Sequence, residues 1–167
     1  MRDDATGRTL TTHEPRRIPW LDIVFGFGPM VPIALGTAVA WWLNGQPLDY
    51  LVALFTLLYA ASILLFLAGV HRGVSFRTEG GPRLSQIVTM LVIYALGLFS
   101  LFAAVMGKAV PALAMLILGY AIVGIFDPIA ARSGAVPLAH ARLRPLQMPI
   151  AVVSLAVLLW LKLTAPY

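Results

Sequence analysis

The sequence predicts an all-α protein, a polytopic integral membrane bundle of five transmembrane helices. Three observations predict it. Of the 167 residues, 60% are hydrophobic and only 11% charged, against roughly 45–50% and 25% in a soluble globular domain. Mean hydropathy is +0.88. The apolar residues also gather into five runs of about 18–24 residues, each enough to cross ~30 Å of hydrocarbon at 1.5 Å per residue.

Residues 1–18 form a polar tail that mixes Arg2, Arg8, Arg16 and Arg17 with Asp3, Asp4 and Glu14. Those acids argue against a mitochondrial transit peptide, and the short tail is expected to be disordered. A single transmembrane domain, 19–165, follows it. The first span, about 20–43, carries Trp20 at one end and Trp41 and Trp42 at the other, placed like an aromatic belt. Ala38-Val39-Ala40 resembles a signal-peptidase site, but the apolar stretch is long for a signal peptide and holds Asp22. Pro29 and Pro32 are expected to kink or break this span.

The second span, about 48–70, runs through the stretch around which the chain is organised, Ser62 to Phe76, where the apolar run ends on Gly69-Val70-His71-Arg72-Gly73. Tyr59, Ser62, Phe66, Gly69 and Gly73 recur at steps of three and four, so they share one helix face. Gly69 and Gly73 are a small-xxx-small pair that lets a second helix approach closely. A turn-rich loop with Arg72, Arg77 and Arg83 leads to the third span, about 84–106, whose stripe of Gly97, Ser100 and Ala104 also suits helix packing. Gly107-Lys108 turns the chain into the fourth span, about 109–131. There Tyr120, Gly124 and Asp127 fall on one face, and Pro128 deprives the Gly124 carbonyl of its helical partner. A basic loop with His140, Arg142 and Arg144 precedes the fifth span, about 146–163, where Lys162 is expected to snorkel to the headgroups.

Of the 12 Lys and Arg residues, ten lie in the tail and in the loops after the second and fourth spans. Lys108 and Lys162 are left on the other side. This bias predicts a cytoplasmic N-terminus and a C-terminus across the membrane. It also explains the net charge of +5 without nucleic acid. Cysteine is absent, which excludes disulfides, thiolate nucleophiles and Cys-ligated metal.

Asp22 and Asp127 are the acids read as intramembrane, and both fall near the cytoplasmic ends of their helices. A carboxylate at bilayer depth costs about 2.5–3.5 kcal/mol on insertion scales and is expected to face a partner or a cavity. The economical arrangement pairs Asp22 and Asp127 with Arg72, Arg142 or Arg144, with His71 nearby. Such a plug could pin helix ends, hold an anion or lipid headgroup, relay protons through Asp127 and His71, or support catalysis. No serine–histidine pair, HExxH, phosphate loop or metal-ligand spacing favours the last, and no cofactor is implied. Gly26, Gly69, Gly73, Gly97 and Gly124 are the helix-packing candidates.

Three pieces of this pattern resemble a family. Pro19 followed by Gly26-Phe27-Gly28-Pro29-Met30-Val31-Pro32 is similar to a proline and glycine-rich opening. The stretch 62–73 resembles a Ser-Phe-x-Gly-Gly-x-x-Trp-Gly signature, with Arg72 at its tryptophan and Ala68 at a glycine. Asp127 with Pro137-x-x-His140-x-x-Leu143-Arg144 resembles an acid followed by Pro-x-Trp-Tyr-x-x-Leu-Arg, with Ala139 and His140 at the aromatic pair. The chain thus resembles the DUF3429 group of small integral membrane proteins, which includes mitochondrial transmembrane protein 69, over nearly all of residues 18–165. The resemblance implies a multi-helix membrane protein, carries no biochemical activity with it, and singles out Gly69, His71, Gly73, Asp127 and Arg144.

The functional expectation is a non-enzymatic accessory, assembly or interaction protein of a bacterial cytoplasmic (inner) membrane. Its partners would be the bilayer, other membrane proteins or an anionic lipid. The alternative is a small transporter or lipid/anion-binding protein that uses the cytoplasmic polar cluster.

Overall fold

The computed structural model describes residues 20–76, 78, 81–132 and 138–164, with the backbone alone for 131–132 and 138–142. The predicted tail therefore lies outside the described residues. The chain is an all-α bundle, and five of its helical stretches are long and apolar enough to cross a membrane.

The first span is two helices, α1 (Trp20–Phe27) and α2 (Met30–Trp42), which break at Gly28-Pro29. The break is local. Gly28 N–H still reaches the Val24 carbonyl at 2.8 Å, and a side chain at Gly28 would collide with that carbonyl at 2.6 Å. Pro32, also expected to disrupt the span, sits third in α2. A missing N–H in a first turn is not needed, so the residue is harmless there.

α3 (Pro47–Ser75) is the longest element. Pro47 occupies its first turn, a position pre-set by the ring. The helix does not end at Val70 as expected but continues one turn further, so His71 and Arg72 are helical rather than loop residues. α4 (Leu84–Val105) opens with a capping box in which the Arg83 N–H donates to Gln86 Oε1 at 3.0 Å. α5 (Ala109–Arg132) follows a tight turn at Gly107, whose φ of 70° lies in the left-handed region. α6 (Leu138–Thr164) starts well before the predicted residue 146 and carries Pro145 and Pro149 within it. Arg144 is therefore a helical residue with a fixed direction, not a loop residue.

α5 packs most extensively on α6, and α4 lies against α3 and α5. α2 seats on α3 and α6, while α1 touches only α6 and α2 appreciably. The centre is the α5 stripe of Leu113, Leu116, Tyr120 and Val123 against Leu64 of α3 and Met148 and Leu155 of α6, all fully buried. Lipid is as apolar as leucine, so burial alone does not hold helices together in a bilayer; close packing and polar links do. Close packing comes from small residues. Gly97 meets Leu65, Gly119 meets Leu64 and Gly124 meets the Met148 side chain, so a Cβ at any of them would crowd its neighbour. Polar links run between helices: Tyr120 O–H donates to the Ala60 carbonyl at 2.8 Å, Ser100 to Ala112 at 3.2 Å, and Thr37 to Ser154 at 3.2 Å. Trp41 and Trp160 stack with centroids 5.4 Å apart, tying α2 to α6 near one end.

Gly107→Ala would force a Cβ into left-handed backbone, at a cost of roughly 1–2 kcal/mol. Gly69→Ala, in an ordinary helix with open space around it, serves as the control. Thermal unfolding in mild detergent should show a lower midpoint for the first and no loss for the second.

Candidate functional site

Asp127 continues the buried α5 stripe one turn beyond Val123, so the register that packs the core also drives a carboxylate inward. It is 1% exposed. Two side chains meet it there. His71 Nε2, from the last turns of α3, lies 2.9 Å from Oδ1, and Arg144 Nε, from α6, lies 3.2 Å from Oδ2. Neither contact reaches in-line hydrogen-bond geometry; Arg144 brings a positive charge to the acid, and His71 adds one only when protonated. Three helices, α3, α5 and α6, thus converge on one buried acid.

The other predicted members are placed differently. Arg72 does not join Asp127. Successive helical residues are about 100° apart, so with His71 turned inward Arg72 turns away, where Nη1 contacts Ser75 Oγ at 3.3 Å and the guanidinium sits 4.2 Å over the Phe76 ring. Asp22 stands exposed on the short helix α1 and lines, with Arg144, a groove beside the buried acid. The side chain of Arg142 lies outside the described residues, as does that of His140. Gly69 and Gly73 are exposed and would meet nothing within 4 Å if given a Cβ. They do not pack within the bundle, because each lies two positions from His71, about 200° around the helix. Gly26, by contrast, abuts the Gln147 amide so closely that a Cβ there would have to push that side chain aside.

Beside the acid lies a groove of about 400 Å³ between α1, α2, α3 and α6. Arg144, Gln147 and Asp22 supply its polar lining, and Phe25, Phe66 and Leu67 its apolar walls. Arg144 therefore faces both Asp127 and the groove. A cavity of this size and mixed lining suits the head and first carbons of an amphipath.

Sequence reasoning missed a second buried pair. Asp49, in the first turn of α3, receives Lys162 Nζ of α6 at 2.7 Å, with side chains 6% and 3% exposed. Lys162 does not snorkel to the surface as expected, because the nearby acid offers a closer counter-charge. The signal was present: Asp49 starts its span and Lys162 ends its own, so in a five-span chain both fall on one side of the bundle with opposite charge. Among the described residues no group of three His, Cys, Asp or Glu could hold a metal.

Comparison with known proteins finds no matching family model, curated protein or solved structure. The resemblance to the DUF3429 group rests on the short motifs quoted above.

Removing one member of a buried ion pair strands the other, at about 3–5 kcal/mol. Asp127→Asn should therefore lower the unfolding midpoint in detergent sharply, and Arg144→Gln likewise. The double variant should recover much of the loss, since no buried charge is left alone.

Proposed function

We propose that this chain is a non-enzymatic accessory or assembly protein of a bacterial cytoplasmic membrane that works by binding other membrane proteins through α3. The observation that carries this is the outward Gly69–Gly73 ridge. Five other helical glycines, Gly26, Gly36, Gly97, Gly119 and Gly124, are filled against by the chain's own atoms, whereas a Cβ at Gly69 or Gly73 meets nothing among the described residues. Ser62 and Phe66 continue the same face and are also exposed. In lipid a small-xxx-small ridge lets two backbones approach closely, the main source of helix association where water cannot drive it. The occupant proposed is a transmembrane helix of a different protein.

A second reading has an observation of its own. The groove beside Asp127 offers Arg144 and Gln147 above apolar walls, which suits a lipid or other anionic amphipath held at the cytoplasmic side. Arg144 meets Asp127 through Nε. A guanidinium carries five N–H donors, so an anion can be held without breaking the pair.

The two readings part in one experiment. Wild-type protein and a Gly69→Leu/Gly73→Leu variant are purified in mild detergent, and bound proteins and lipids are quantified by mass spectrometry. The variant should keep its unfolding midpoint, because leucine meets open space, and should lose its co-purifying membrane proteins at least tenfold. Equal recovery of the same proteins by both would remove the association reading. A variant that changes only from dimer to monomer would make the occupant a second copy. Lipid lost from an Arg144→Lys protein, with partners retained, would favour the groove.

Orientation makes a separate prediction from the basic-residue bias. Reporter fusions should place Arg77 and Gly134 in the cytoplasm and Tyr167 outside it. Tyr167 on the cytoplasmic side would overturn the orientation.

A further inference from the structure

At the end of the bundle opposite Asp127, a cavity of about 440 Å³ opens between the first turns of α3, the α4–α5 turn and the end of α6. Its walls are apolar, with Leu54, Leu57, Val110 and Pro111 among them. Its polar lining is Tyr50, Lys108 and Lys162. We propose that this cavity is a second ligand site, for an amphipath with an anionic headgroup, whose acyl segment lies on the apolar walls and whose head meets Lys108 at the mouth. The proposal does not rest on the association reading or on the groove beside Arg144, which lies at the other end.

The argument is one of charge and shape together. Lys162 is held buried by Asp49 at 2.7 Å, so that pair contributes no net charge. Lys108 adds one positive charge that has no acid among the lining residues. Lys108 thus sets one positive charge over an apolar floor, which repels a cation and favours an anion with a hydrocarbon tail. Lys108 is also positioned rather than loose along its backbone. It follows Gly107 in the left-handed turn, and its N–H donates to the Ala103 carbonyl at 2.8 Å. Its side chain is exposed, so it can meet a headgroup at the cavity mouth. The volume lies inside the roughly 300–1,000 Å³ span of small-molecule sites.

Headgroup charge and free phosphate share the same chemistry, and the test separates them. Protein is reconstituted into phosphatidylcholine vesicles with a trace of spin-labelled phosphatidic acid or spin-labelled phosphatidylcholine, and the immobilised fraction is read by electron paramagnetic resonance. Phosphatidic acid should be immobilised in preference to phosphatidylcholine. One lysine near a headgroup is worth about 1 kcal/mol, which converts to about a fivefold loss of that preference in Lys108→Gln. Lys108→Arg should retain it. Because the side chain is exposed, the glutamine variant should unfold at the wild-type midpoint, so a lost preference is not a lost fold. Millimolar inorganic phosphate should not compete. A preference unchanged in Lys108→Gln would put the anion on other basic residues and overturn the proposal. Equal uptake of both lipids, or displacement by inorganic phosphate, would overturn it as well.

Discussion

Asp127 is the constraint on which the rest of this bundle turns. A carboxylate fully enclosed in a membrane protein is tolerated only with its charge answered. Here α3 and α6 each send one cationizable group to one oxygen. That requirement fixes more than a contact. It sets the rotation of α3, because His71 must face in. It makes α6 begin early enough for Arg144 to be helical, and it ties the ends of three helices to a single point. In water the hydrophobic effect would carry most of this load; in lipid it does not, so a polar link of this kind has unusual weight in deciding how the helices dock.

The same logic repeats at the other end. Asp49 and Lys162 join α3 to α6 a second time. On α3, Asp49 and His71 are separated by 22 residues, or ~33 Å of helix at 1.5 Å per residue, and on α6 Arg144 and Lys162 are ~27 Å apart. Those lengths bracket the ~30 Å hydrocarbon core. The two buried pairs thus sit near the two levels where lipid gives way to headgroups, with a slab of packed apolar side chains between them. Within the slab the links are neutral hydrogen bonds, such as Tyr120 to Ala60, and close glycine contacts. Charge is used where water is near, and packing where it is not.

How much of this was legible in the sequence follows the same physics. Span number and rough limits were readable, because a bilayer demands long apolar helices and the chain supplies five. Asp127 was readable as an acid in need of a cation, with His71 nearby and Arg144 one of three arginines offered, because a carboxylate in a membrane span must have its charge answered. What failed were directions and helix ends. Whether His71 or Arg72 faces the acid depends on a rotation that only neighbouring helices set. Both lay in what hydropathy reads as loop, since a helix can continue past the membrane without an apolar pattern. Asp49 was missed for a related reason. An acid at a span's margin looks interfacial until the fold shows a lysine arriving from a helix more than a hundred residues away.

The glycines carry the argument a last step. A small residue on a membrane helix says that a backbone can approach closely, not which backbone. Gly97 and Gly124 are answered within the chain, by Leu65 and Met148. Gly69 and Gly73 have the same local pattern and no answer among the described residues. The difference arises because the buried acid demands His71, and turning His71 inward turns its neighbours two places away outward. The charge that closes the inside of the bundle thereby leaves the ridge on its outside, clear of the pairs that hold α3, α5 and α6 together.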